Sequence, residues 1–131
     1  MAKTITTWKK GHEFEAEHEG NKILMDGSTE NGHGPKALLL SALAGCSGID
    51  VVDILTKMRL VFSDFSIEAE AEQTDDHPKV FKDIHITYKI KTALKNEDKI
   101  RKAIDLSLEK YCGVAAMLKK NSPIDYSIII K

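Results

Sequence analysis

The chain has 131 residues, 42% of them hydrophobic and 30% charged, with 19 basic against 20 acidic side chains and a formal net charge of −1. That length supports one domain over residues 1–131 with its own core, and the near-neutral balance with scattered lysines gives no surface for nucleic acid. No apolar run is expected to reach membrane-spanning length and "MAKTITTW" lacks an export signal, so the expectation is a cytoplasmic chain without a membrane partner.

The first elements read as strands. "TITTW" (4–8) is β-branched, and "HEFEAEH" (12–18) alternates Phe14 and Ala16 with Glu13, Glu15 and Glu17. Gly20-Asn21 predicts a hairpin turn into a third strand, "KILMDG" (22–27). "DGSTENGHGP" (26–35) carries three glycines and predicts a mobile loop, with Pro35 at the first position of a helix.

From Lys36 to Arg59 the apolar residues surround the helix axis. Leu38, Ala42, Ile49 and Val52 mark one stripe; Leu39, Leu43 and Cys46, with Leu40, Val51 and Ile54, fill others. Such a helix is buried on most sides. It is more apolar than one sheet covers, which predicts a second covering surface from another subunit. Gly45 and Gly48 stand inside it, each costing about 1 kcal/mol relative to alanine.

"DFSIEAEAEQT" (64–74) and "VFKDIHITYKIKT" (80–92) each alternate, joined by a turn at "DDHP" (75–78). One wet and one buried face predict an antiparallel pair with glutamates opposing lysines outside. Asn96, Glu97 and Asp98 open a second helix whose stripe is Ile100, Ile104, Leu108, Tyr111, Ala115 and Leu118. "KKNSP" (119–123) ends it and "IDYSIII" (124–130) is a last strand. The order βββ-α-ββ-α-β predicts an α+β fold.

Chemistry centres on the two cysteines, each on a predicted helix among small residues, "LAGCSG" and "YCGVAA". A free cysteine commonly packs as a small hydrophobe. Two on facing helices pair only if their Cα atoms come within about 4.4–6.8 Å. The residues alone leave both readings open. Asp50 lies one turn after Cys46, and Glu109 nearly one turn before Cys112. Each carboxylate disfavours a thiolate unless it engages a cation. The five histidines (12, 18, 33, 77 and 85) are dispersed and no Cys-x-x-Cys or His-x-x-x-His spacing occurs, so no metal site is expected. His33, in the glycine-rich loop, is the most site-like of the five. "GCSGI" is not a G-x-S-x-G elbow, so Ser47 carries no nucleophile signature.

"GPKALLLSALAGCSGIDVVDIL" and "SLEKYCGVAAML" resemble the OsmC/Ohr family of osmotically inducible and organic-hydroperoxide-resistance proteins, and "AGCSGIDVVDIL" with "EKYCGVA" looks closer to its YhfA-like branch. The resemblance implies an intertwined homodimer with two long central helices and antiparallel sheets outside. It implies a cysteine peroxidase without a cofactor, acting on small organic hydroperoxides and regenerated by an external thiol. Cys46 takes the peroxidatic position and Cys112 the resolving one, through sulfenate and disulfide. The family pattern places a glutamate after the helix-opening proline and an arginine in the N-terminal strands. Here Lys36 follows Pro35 and the first arginine is Arg59, which leaves Lys9, Lys10 and His12 as candidate cations, with Asp50 or Glu109 to position them. The alternative is a non-catalytic protein of the same fold that binds or senses a small apolar or thiol-reactive ligand at the dimer interface.

Overall fold

The period-two patterning of the first 26 residues folds as a meander. In the computed structural model, which describes residues 1–131 throughout, β1 (Ile5–Lys10), β2 (Glu13–His18) and β3 (Asn21–Asp26) pair antiparallel in that order. The second turn is one residue earlier than expected: His18 pairs with Asn21, so Glu19 and Gly20 are its centre, both at positive φ (48° and 82°). A two-residue hairpin turn of this hand needs positive φ at both central positions. The Asn21 amide braces it by donating to the carbonyl of His18 at 3.3 Å.

The following loop is organised by one carboxylate. Asp26 is buried; its Oδ1 accepts the amide of Ser28 at 2.8 Å and its Oδ2 that of Asn31 at 3.1 Å. Its own amide donates to the His33 carbonyl at 3.0 Å. The backbone amide of Ser28, with those of Asn31 and Glu30, holds the Asp26 carboxyl below its ordinary value, against an opposing effect of burial.

Helix α1 (Pro35–Lys57) starts at the expected proline. It is 23 residues long with a mean hydropathy of 1.8, enough by length and composition to cross a bilayer, which corrects the expectation that no segment reaches that size. Its row Leu43, Ser47, Val51 and Leu55, spaced four apart, is fully buried in the chain's own core. Ile49 and Val52 remain exposed, at 67% and 39%, because sheet and helices cover only part of an all-round apolar helix. The chain divides into two compact units, Met1–Leu39 and Leu40–Lys131, with the division inside α1.

In the second unit β4 (Ser63–Gln73), β5 (Phe81–Lys91) and β6 (Ile124–Ile130) form a sheet in that order. The first pair is antiparallel, and Lys89 Nζ donates to Glu68 Oε1 at 2.6 Å on its wet face, as the charge alternation predicts. Strand β6 runs parallel to β5, from Ile84 opposite Ile124 to Ile90 opposite Ile130, which corrects the all-antiparallel expectation. Residues 92–123 form a helical crossover, and a crossover of that size returns the chain in its original direction. Ile84, Ile86, Tyr88 and Ile90 line the buried face.

The second long helix is interrupted. Helix α2 (Glu97–Leu106) passes into a π turn (Ser107–Tyr111), the chain breaks at Cys112, and α3 (Gly113–Lys119) restarts. Asn96 precedes α2 as expected but spends its amide on Thr92 Oγ1 at 2.9 Å instead of capping. A π turn takes more residues per turn than an α-helix. The inward position after Leu108 therefore passes to Cys112, 3% exposed, while the expected Tyr111 is 54% exposed.

Candidate active site

Cys46 lies mid-way along α1, half-buried, and Cys112 lies at the helix break. The break shapes the environment of the second thiol. With φ −77° and ψ 102°, Cys112 is extended; its amide donates to the Ser107 carbonyl at 2.7 Å, closing the π turn. Its Sγ accepts the amide of Ala115 at 3.3 Å, so the thiol caps α3. Both cysteines are free thiols, and Cys46 lies close enough to raise the pKa of Cys112. Burial pushes Cys112 up to about 11; the neighbouring Cys46 thiol adds to the shift and the Ala115 amide opposes it. Cys112 is therefore a protonated thiol at neutral pH.

A buried polar chain runs beneath the thiols. Ser47 Oγ is 2.6 Å from Tyr88 Oη, Ser107 Oγ is 2.9 Å from Ser47 Oγ, and Ser107 Oγ is 2.9 Å from Asp50 Oδ2. A carboxylate only accepts, so Ser107 donates to Asp50. Ser107 Oγ is also in donor geometry to Ser47 Oγ, and Ser47 Oγ shares a hydrogen bond with Tyr88 Oη. Burial pushes Tyr88 up to about 12 against the lowering effect of Ser47, with Cys112, Tyr126 and Asp50 adding to the rise. The tyrosine thus stays protonated at neutral pH. Tyr126, edge-on to Tyr88 at 5.9 Å between ring centroids, extends the polar system to Asp105 at 2.6 Å. No buried side-chain nitrogen or oxygen is left without a partner.

Two cavities flank α1. One of about 540 Å³ lies against β4 and is walled by Ala44, Gly45, Gly48, Val52, Phe65 and Ile67. A Cβ on Gly48 would stand 3.0 Å from Ile67 Cδ1, so this glycine accommodates β4, whereas a Cβ on Gly45 meets nothing within 4 Å. The other, of about 450 Å³, is bordered by Asp50, Ile54, Lys57, Met58, Leu106 and Tyr111.

Comparison with known proteins gives this arrangement a family. The model of the OsmC-like protein family matches residues 27–127. Protein YhfA of Escherichia coli (strain K12) is 36% identical over 122 residues, 92% of this chain and 91% of YhfA. The chain belongs to the OsmC-like family. A hypothetical protein from Aquifex aeolicus VF5 has the same OsmC-like fold, with a TM-score of 0.84 and 29% identity over 100% of this chain and 98% of that one. The organic hydroperoxide resistance protein OhrB of Bacillus subtilis shares the fold at a TM-score of 0.61 and 17% identity, over 100% of this chain and 98% of that one.

Of the residues singled out in the OsmC-like sequence, Cys46, Asp50 and Cys112 come together. Asp50 engages the Ser107 hydroxyl where a cation was expected. Glu109 is exposed on the π turn. Lys9, Lys10, His12 and Lys36 belong to the first unit. There Lys9 lies 3.9 Å from Glu15 and Lys10 3.9 Å from Glu13, while the His12 carbonyl accepts the Gly27 amide. Lys36 is half-buried in the first turn of α1, and His33 is exposed. The polar chain of Ser47, Tyr88 and Ser107 was not foreseen as part of a site. Ser107 had a signal: a polar residue at an inward position between Ile104 and Leu108.

Proposed function

We propose that this OsmC-like chain is a thiol-dependent peroxidase that reduces small organic hydroperoxides at the Cys46–Cys112 pair. The observation that carries this reading is two free thiols, Cys46 half-buried on α1 and Cys112 buried at the helix break, close enough for the first to raise the pKa of the second. The Cys46 thiolate attacks the hydroperoxide, releases an alcohol and becomes a sulfenic acid. Cys112 condenses with it to a disulfide and releases water. An external thiol then reduces the disulfide, and no cofactor takes part. The family relationship and the name of the Bacillus subtilis fold neighbour support the same chemistry.

The working form in this proposal is a homodimer in the cytoplasm, where thiol reductants are abundant. Exposed Ile49 and Val52 on α1 are the apolar surface a second copy would cover. The test is dithiol-dependent consumption of cumene hydroperoxide, expected in the parent and lost in Cys46→Ser. Equal consumption by Cys46→Ser would overturn the assignment. A second reading, a non-catalytic protein that binds a small apolar or thiol-reactive ligand, is favoured by Lys36 and by the absence of arginine before Arg59. It predicts saturable ligand binding near Cys46 with no hydroperoxide turnover.

A further inference from the structure

The buried chain Tyr88–Ser47–Ser107–Asp50 ends on a carboxylate that accepts from Ser107. Its position is informative. Ser107 binds Asp50 through its hydroxyl and Cys112 through its carbonyl, so one residue ties the carboxylate to the backbone of the second thiol. Asp50 is also one helical turn from Cys46, on nearly the same face of α1. The charge of Asp50 is felt at Cys112 and at Tyr88. Only one oxygen of this carboxylate is used by Ser107, and Asp50 borders the cavity shared with Lys57 and Tyr111.

We propose that Asp50, oriented by Ser107, is the proton acceptor for disulfide closure between Cys112 and the sulfenic acid of Cys46. This rests on the peroxidase reading and assigns the proton path of its second step. Closure forms one S–S bond and breaks the S–O bond of the sulfenic acid. The Cys112 sulfur supplies the electron pair and hydroxide leaves from Cys46. The proton of the Cys112 thiol passes to the Asp50 carboxylate and from there to the departing hydroxide, which leaves as water. No oxidant or reductant beyond the hydroperoxide already consumed is needed. A buried thiol held protonated is a poor nucleophile without a base. The Ser107 hydroxyl holds the carboxylate in place without a lysine or arginine bonded to it and leaves its second oxygen to accept a proton. The same arrangement accounts for a carboxylate standing one turn from a nucleophilic cysteine. It serves closure instead of the first attack.

The experiment is a single turnover with one equivalent of cumene hydroperoxide, quenched at intervals and read by intact mass. Oxygen gain reports the sulfenic acid and loss of two hydrogens reports the disulfide. In Asp50→Asn, which keeps the shape and the acceptor for Ser107, oxygen gain is expected to be at least as fast as in the parent, because a charge one turn from Cys46 is removed. Closure is expected about a hundredfold slower, within the range a positioned base contributes. Asp50→Ala opens room beside the cavity, and added formate is expected to accelerate its closure in proportion to concentration. A purely structural role for Asp50 gives no such rescue. Parental closure in Asp50→Asn, or no effect of formate on Asp50→Ala, overturns the assignment while leaving the peroxidase reading intact. A parent that never gains oxygen or loses hydrogens overturns both.

Discussion

Cys112 is buried, caps a helix and is held protonated, and each property comes from its place at a backbone break. Where the chain turns extended, the amide of Ala115 is left without a helical acceptor and finds the thiol sulfur. Replacing the sulfur by a hydroxyl keeps a cap, so Cys112→Ser is expected to hold its melting temperature more closely than Cys112→Ala, which loses about 1 kcal/mol. Thermal unfolding of the reduced proteins checks the order. The protonated state of the buried groups also sets a pH dependence. Cys112 rises from an ordinary 9 to about 11 and Tyr88 from 10 to about 12, so the fold favours their neutral forms. Their contribution is complete below about pH 9 and is lost as pH rises through about 12. Denaturant titrations between these limits are expected to show falling stability, with the charged or titratable Cys46, Asp50 and Tyr126 as the neighbours of these two groups. In Tyr88→Phe the upper part of the fall shrinks to the share of Tyr126, which is also raised from 10 to about 12, and stability at pH 7 drops by about 1 kcal/mol for the lost hydrogen bond to Ser47.

Among the elements, the loop 26–34 and the broken helix depart furthest from what their composition suggests. Three glycines and a proline read as mobility, yet Asp26 gathers two amides of the loop into its carboxylate. Asp26→Ala is expected to speed hydrogen exchange at Ser28 and Asn31 while leaving α1 protected. Because the Asp26 carboxyl is held low, its support for the loop is present above pH 3.8 and is lost as pH falls through its depressed value in the fold. The strands and α1 were legible because their periods, two and 3.6, record which faces are buried. The π turn was not. Ile104, Leu108, Tyr111 and Cys112 satisfy plain helical spacing, and only the structure decides between the last two for the inward place. The direction of β6 was equally hidden, since alternation is the same in parallel and antiparallel pairs. Of the candidate site, Cys46, Cys112 and Asp50 could be named from the sequence. Tyr88 could not, because in alternation with Ile86 and Ile90 it reads as packing.

For the whole molecule, α1 is apolar on faces its own unit leaves open, and Gly45 stands on one of them, where an added methyl group would meet nothing within 4 Å. Ile49→Glu is therefore expected to convert a dimer to a monomer by sedimentation equilibrium, with the secondary structure unchanged by circular dichroism. A parent that sediments as a monomer at all concentrations would remove the second copy from the account. The central claim is narrower and does not depend on assembly: the two thiols are a working redox pair. Intact mass after stoichiometric cumene hydroperoxide tests it most directly. The account predicts loss of two hydrogens per chain in the parent, gain of one oxygen in Cys112→Ser, and no change in Cys46→Ser. An unchanged parent, or equal oxidation of Cys46→Ser, would contradict it.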